Sequence, residues 1–335
     1  MRRLALTVVV VALGVLPVSG AAITIAGATA NSPTPIKSVT QTFSQGASAV
    51  VSCAGPLPRS EPLGTHLSIS VTLGAYEATL TGSVIDDSGG FLRMNSPSVT
   101  LSYAAKAIGT YQLFDEPGSW YQGGLGYTTK AWAGPSGAAT DSVLCLAHFD
   151  HKADAQVLVP LDEPSQCCNF ESLFTIEDLG GLGFSDALET PNLGFTGGSL
   201  VVEHGTALLI GADPRFTGVF TDFAGTASPV RVFTIGNFGL IDVTRQWPSL
   251  IAKDAASDLE RFDLLLRNGK PQDTRGILAA WTADECEVDR CSAAFALVSQ
   301  KLAAGDAAPF EGSPSAYLAL LRHDLSAWHY VAGTG

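Results

Sequence analysis

The sequence predicts a mainly β fold of propeller-like or sandwich-like antiparallel sheets, with a small α-helical cap at the C-terminal end. Three observations predict it. Short segments of period-two hydrophobicity recur at intervals of about ten residues between residues 40 and 245. Glycine (35) and proline (18) are frequent enough to favour a turn-rich fold over a helical bundle. After Trp247-Pro248 the hydrophobic period lengthens to that of a helix. With 46% apolar and only 15% charged residues, the chain can bury a sizeable core and is not disordered.

Arg2 and Arg3 precede an uncharged, largely apolar run over residues 4–18, shorter than the ~20 residues of a membrane-spanning helix. Ala28-Thr29-Ala30 has the small-x-small form of a signal-peptidase site, and polar Asn31-Ser32 follows it. Residues 1–30 therefore read as a signal peptide, with an earlier cut after Gly20 as the other option. No later stretch predicts a membrane span, so the expected location is secreted or extracytoplasmic. The formal net charge of −13 argues against nucleic acid, because a phosphate backbone needs clustered cations.

Among the strands, Leu67-Ser68-Ile69-Ser70-Val71-Thr72-Leu73 alternates cleanly, as a half-buried strand should. Ala78-Thr79-Leu80-Thr81-Gly82-Ser83-Val84 repeats the pattern, with Gly74-Ala75 as the hairpin turn between them. Further strands are expected at 98–104, 110–114, 142–147, 155–160, 171–176, 198–203, 206–211, 217–222, 229–235 and 238–243. Glu203-His204-Gly205 and Asp86-Asp87-Ser88-Gly89-Gly90 read as turns. In the cap, Ala255, Leu259, Phe262 and Leu266 fall at helical spacing and Asn268-Gly269 is the stop. A second helix opens at Asp273 and buries Ile277, Leu278 and Trp281. A third runs from about Ser292 to Ala303 and stops at Gly305, and a fourth runs from Pro314 to Trp328.

Six cysteines in an exported chain predict disulfides: Cys53, Cys145, Cys167, Cys168, Cys286 and Cys291. The preferred pairs are Cys53–Cys145, Cys167–Cys168 and Cys286–Cys291, with Cys145–Cys167 as a competitor. The last pair carries a geometric condition. In one continuous helix, residues five apart have Cα atoms about 8.6 Å from each other. That exceeds the roughly 7 Å that a disulfide spans. A 286–291 bridge therefore requires a helix break at Glu287-Val288-Asp289-Arg290.

The segment Ala147-His148-Phe149-Asp150-His151-Lys152-Ala153-Asp154 and its following strand resemble the aspartate-rich loop of FG-GAP/VCBS-like repeats. Gly211-Ala212-Asp213-Pro214-Arg215-Phe216, Thr221-Asp222-Phe223-Ala224-Gly225 and Ile241-Asp242-Val243-Thr244-Arg245 resemble final blades of the same type. Gln166-Cys167-Cys168 and the tail beginning Arg275-Gly276-Ile277 are similar as well. Together these resemble uncharacterised exported bacterial proteins with integrin-type β-propeller blades and a helical tail. The resemblance covers roughly residues 140–330 and implies FG-GAP/VCBS-like sheets over 141–248. The hydrophobic periods themselves give an N-terminal β region over 31–140, which the resemblance does not reach, and a helical cap over 249–330. It does not imply calcium at Asp150 and Asp154, because Lys152 stands where the middle oxygen donor belongs.

No nucleophile-elbow, Walker or Rossmann motif occurs, and no metal or cofactor is expected. His148 and His151 are three apart beside Asp150, a constellation lacking the third ligand that zinc needs. Trp120, Tyr121, Tyr127 and Trp132 surround glycines and offer faces for stacking on sugars or on a protein partner. The leading expectation is an exported binding or interaction protein, with protein or carbohydrate as partner and no evident catalytic residue. Candidate ligand-binding residues are His148, Asp150, His151, Trp120 and Trp132. The alternative is a secreted polysaccharide hydrolase using paired carboxylates and the Trp120/Trp132 aromatics. A third reading is a metal-dependent enzyme using His148 and His151.

Overall fold

In the computed structural model the described residues are 38–43, 50–54, 64–86, 93–112, 120–121, 125–128, 140–142, 144–149, 155–164, 169–177, 188–189, 199–222, 225–236, 239–271, 274–307 and 313–331. In chain order the first strands are β1 (Ser38–Phe43), β2 (Val51–Ala54), β3 (His66–Leu73), β4 (Tyr76–Asp86), β5 (Arg93–Tyr103) and β6 (Lys106–Gln112). They are followed by β7 (Trp120–Tyr121), β8 (Leu125–Thr128), β9 (Thr140–Ser142), β10 (Leu144–Ala147), β11 (Gln156–Pro164) and β12 (Asn169–Glu177). The last strands are β13 (Leu188–Glu189), β14 (Ser199–Glu203), β15 (Thr206–Ala212), β16 (Val230–Gly236) and β17 (Gly239–Asp242). Four helices close the chain: α1 (Pro248–Arg267), α2 (Thr274–Glu287), α3 (Cys291–Ala304) and α4 (Pro314–Ala327).

The strands form three sheets. The first has order β1-β3-β4-β5-β6 with β7 beside β5, and the second is β13-β12-β11-β10-β2. The third is β17-β16-β15-β14-β8-β9. Pairing is antiparallel throughout except β1 with β3 and β8 with β14. No closed ring of blades is present among the described residues. The sheets run across residue 140: β2 pairs with β10, and β8 with β14.

Side-chain alternation decides which residues meet. Leu67, Ile69, Val71, Leu80, Val99 and Leu101 on one face of the first sheet share a core with Leu144, Leu146, Val157 and Val159 of the second. The opposite face of the second sheet, with Cys145, Ala147 and Leu158, packs on Leu200, Ala207, Leu209 and Ile235 of the third. The far face of the third sheet, with Val201, Leu208, Val230 and Val232, receives Leu250 and Ile251 of α1. Strands buried on both faces lose the alternating pattern, which is why Ala207-Leu208-Leu209-Ile210 is continuously apolar while β3 alternates.

Two disulfides join described cysteines. Cys53 and Cys145 face each other across β2 and β10, with Cα atoms 4.1 Å apart. Cys286 and Cys291 close the α2–α3 corner, with Cα atoms 4.0 Å apart. The helix breaks between them as the geometric condition requires, with Asp289 in the left-handed region (φ 62°) and the Arg290 amide donating to the Glu285 carbonyl at 2.8 Å. Cys167 and Cys168 lie outside the described residues.

Two local expectations need correction. Residues 217–222 are turns after a 3₁₀ segment (Pro214–Phe216), not a strand. Phe216 and Phe220 leave the sheet and enter the helical core beside Tyr317, Trp328 and Tyr330. The strand expected at 110–114 begins at Lys106, because Ala104 and Ala105 form a two-residue turn with φ of 49° and 63°. No helix among the described residues is long and apolar enough to cross a membrane.

Candidate functional site

Of the residues singled out from sequence, His148 follows β10. Its backbone amide donates to the Val50 carbonyl at 2.8 Å, and its ring meets the edge of Tyr76. Trp120 sits in β7 at the register position of Asn95. Asp150, His151, Asp154 and Trp132 lie outside the described residues, so the expected histidine, aspartate and aromatic groupings fall there in whole or in part. His204 occupies the β14–β15 hairpin tip as expected, with φ 50°, and stacks on Trp247.

On the outward face of the first sheet two adjacent rows are neutral, bounded by Glu77 on one side and His66 on the other. Ser70 is buried, and the other described side chains of the rows are half-buried or exposed. Strand register places Thr42, Ser70, Thr79, Thr100 and Thr110 in one transverse row, and Thr40, Ser68, Thr81, Ser98 and Gln112 in the next. Hydroxyl pairs span neighbouring strands: Ser70–Thr79 at 2.8 Å, Thr81–Ser98 at 2.9 Å and Thr100–Thr110 at 2.9 Å. Neither row contains a charged residue. Strand spacing of about 4.8 Å sets the repeat along a row, and the two-residue period separates the rows by about 7 Å.

Buried charge collects at the junction of the third sheet and the helices, in two clusters. In the first, Asp213 accepts from Arg215 Nε at 2.9 Å, Arg231 Nη2 at 3.2 Å and Tyr330 Oη at 2.7 Å. Arg231 also reaches Glu287 at 3.0 Å and Asp242 at 3.2 Å, and its guanidinium covers the Tyr330 ring. Arg245 donates to Glu287 at 2.6 Å and to the carbonyls of His329 and Tyr330. Three carboxylates thus meet three guanidinium groups. Burial pushes the Asp213 carboxyl up, but the hydrogen bonds from Arg215 and Tyr330 and the charge of Arg231 outweigh it and hold the group below its ordinary range.

The second cluster is Asp254 and Asp258 of α1 with Asp284 of α2. One carboxylate oxygen from each lies within 4.8 Å of the others. Spacing of i and i+4 puts the α1 pair on one face, and α1 packs along α2. All three are buried, Asp284 completely. Neither Asp284 oxygen, nor Oδ2 of Asp258, has a hydrogen-bond partner among the described residues. Burial pushes Asp254 up to about 6. Burial, reinforced by the neighbouring carboxylates, pushes Asp258 and Asp284 well above their ordinary range.

Set against known protein families, curated proteins and solved structures, the chain matches none. Sequence reading missed both the hydroxyl rows and the aspartate cluster. The rows were half legible in the Ser/Thr alternation of β3 and β4. The cluster joins residues thirty apart on two helices, and only Asp254 and Asp258 at i, i+4 gave a local signal. It is sealed beneath the third sheet and between helices, so it is no acid–base pair for an extended polysaccharide.

Proposed function

We propose that the chain is an exported, sandwich-like β-rich binding protein whose ligand is a neutral, hydroxyl-rich polysaccharide held on the outer face of the first sheet. The observation that carries this reading is the pair of transverse hydroxyl-rich rows across β3, β4, β5 and β6. A hydroxyl both donates and accepts, so regular hydroxyl rows match a polymer that presents hydroxyls repeatedly. The two rows offer no cation for a polyanion, and the overall charge of −13 repels one. The shared cores of the first with the second sheet, and the second with the third, support the sandwich-like description. The two disulfides and the signal-peptide pattern at residues 1–30 support export.

Retention of the purified mature chain on insoluble neutral polysaccharides, cellulose and chitin among them, tests the reading. The chain should be retained, and replacing Thr100 and Thr110 together by valine should weaken retention at least fivefold with unchanged circular dichroism. Equal retention of both proteins, or retention of neither, would sink it.

A further inference from the structure

We propose that Asp254, Asp258 and Asp284 form a binding site for one hard divalent cation, calcium in the first instance, which clamps α1 to α2. Geometry permits it. Two oxygens on one calcium, each about 2.3–2.6 Å from the ion, are at most about 5 Å apart. The three carboxylates each offer an oxygen within 4.8 Å of the other two. A single ion at their centre therefore lies no more than about 2.8 Å from each, and a shift of a few tenths of an ångström brings all three to calcium's bonding distance.

Donor chemistry selects the ion class. The set is entirely carboxylate oxygen with no imidazole or thiolate, which suits calcium, magnesium or manganese and disfavours softer metals. An independent observation shows that something is missing from the cluster. Asp284 is fully buried, yet neither of its oxygens makes a well-formed hydrogen bond: only the neutral Val230 backbone amide and the Asp254 carboxyl act on it, and Asp258 Oδ2 is likewise unpartnered. Buried carboxylates without partners are costly, and the cost is relieved by a counter-charge or by protons. The charged groups around the cluster do not supply that counter-charge. Arg261, one turn beyond Asp258 on α1, is exposed and acts at a distance, and the Tyr330 hydroxyl is committed to Asp213. The side chains of Val230, Leu250 and Ile251 wall the neighbouring core with hydrocarbon, and the Val230 backbone amide that acts on Asp254 and Asp284 carries no net charge. An ion held here is structural: it joins the two helices where α1 meets the third sheet.

The test uses the whole mature chain, stripped with EDTA and dialysed at pH 7.5. Calcium, magnesium and manganese are titrated separately while thermal unfolding is followed, and bound metal is counted by elemental analysis. Terbium is a direct probe, since Trp281 lies one turn before Asp284 on α2 and is placed to sensitise its emission. Calcium should bind at one ion per chain and raise the unfolding midpoint by several degrees. Asp284→Asn and Asp258→Asn should each abolish that rise and the terbium emission. Trp281→Phe should lose the emission but keep the calcium-dependent midpoint. The stripped chain unfolding at the same temperature with and without every ion, with no metal retained, would overturn the proposal and leave shared protons as the cluster's neutraliser. A calcium rise that persists in both aspartate variants would overturn it equally, by placing the ion elsewhere. Because the site is remote from the hydroxyl rows, the outcome is independent of polysaccharide retention.

Discussion

Helix α2 carries a carboxylate from each buried cluster, one turn apart, and places them in opposite circumstances. Glu287 accepts from Arg231 and Arg245, and through Arg231 it joins Asp213, Asp242 and Tyr330. Asp284 makes no well-formed hydrogen bond among the described residues, has only the neutral Val230 amide acting on it, and has two more carboxylates beside it. Burial is similar, so burial does not distinguish them. The difference lies in the elements that each faces. Glu287 faces arginines delivered by β16 and the segment after β17, whereas Asp284 faces α1, whose inward positions at 254 and 258 are both aspartate. The first arrangement is complete as it stands and holds the sheet to the helices. The second needs a neutralising species from outside the protein. What the pair teaches is that a buried carboxylate is complete when its counter-charge is covalently part of the fold, and must take a proton or an ion from solution when it is not.

The largest expected effect comes from breaking the complete cluster. Asp213→Ala leaves Arg231 with one fewer partner and the buried Tyr330 hydroxyl with no acceptor. Removing one member of a buried, hydrogen-bonded charge network costs about 3–5 kcal/mol. Urea unfolding at pH 7 should show a loss of that order. A loss under about 1 kcal/mol would mean that the network is not what anchors β16 and the C-terminal residues. The same contrast has a pH signature. Asp213 is held below its ordinary value of 3.8, so its stabilisation is present above that pH and is lost as pH falls through the folded value.

How far these arrangements were legible in the sequence depends on whether the signal is local. The helices were readable because their apolar spacing, the Asn268-Gly269 stop and the Gly305 stop are carried by neighbouring residues; Gly269 and Gly305 adopt φ of 69° and 78°. The Cys286–Cys291 corner was readable because helix geometry forbids the bond without a break. The Ala104-Ala105 turn was not, since alanine carries no turn chemistry and the strand pairing alone forces both residues to positive φ. Phe220 reads as a strand residue because its hydrophobicity does not say which core it enters. The hydroxyl face was visible strand by strand, but its rows exist only once register is set. Both charge clusters are tertiary: Asp213 meets Tyr330 across 117 residues.

A middle-sized effect sharpens the other half of the comparison. In EDTA-stripped protein, Asp284→Asn removes a carboxylate from a crowded buried group and supplies two N–H donors to its neighbours. Because burial raises the folded values of these acids, with Asp254 at about 6, their protonated state favours folding at pH 4. That stability is lost as pH rises through 6 and above, the opposite sign to Asp213. At pH 7.5 without metal, the variant should therefore be more stable than the parent by about 1–3 kcal/mol, and its stability should vary less between pH 4 and 7.5. With calcium present the order should reverse. A variant less stable than the parent in EDTA would show that Asp284 has a donor in the fold and belongs with Glu287.

The smallest expected effect concerns Arg261, whose distant charge is what the aspartate cluster has in place of a contacting guanidinium. It is exposed, and in high dielectric its Coulomb effect on Asp258 is about 0.5 kcal/mol or less, further reduced by salt. Arg261→Ala should leave unfolding free energy within about 0.5 kcal/mol of the parent, as surface changes generally do. The charge acts against a cation, however, so its removal should tighten calcium binding by about twofold at low ionic strength. At 1 M salt, where screening length falls to about 3 Å, the twofold difference should vanish. Calcium titrations of parent and variant at both ionic strengths read this directly. Weaker binding in the variant would mean that Arg261 orients Asp258 by contact, so that the second cluster contains its own cation after all.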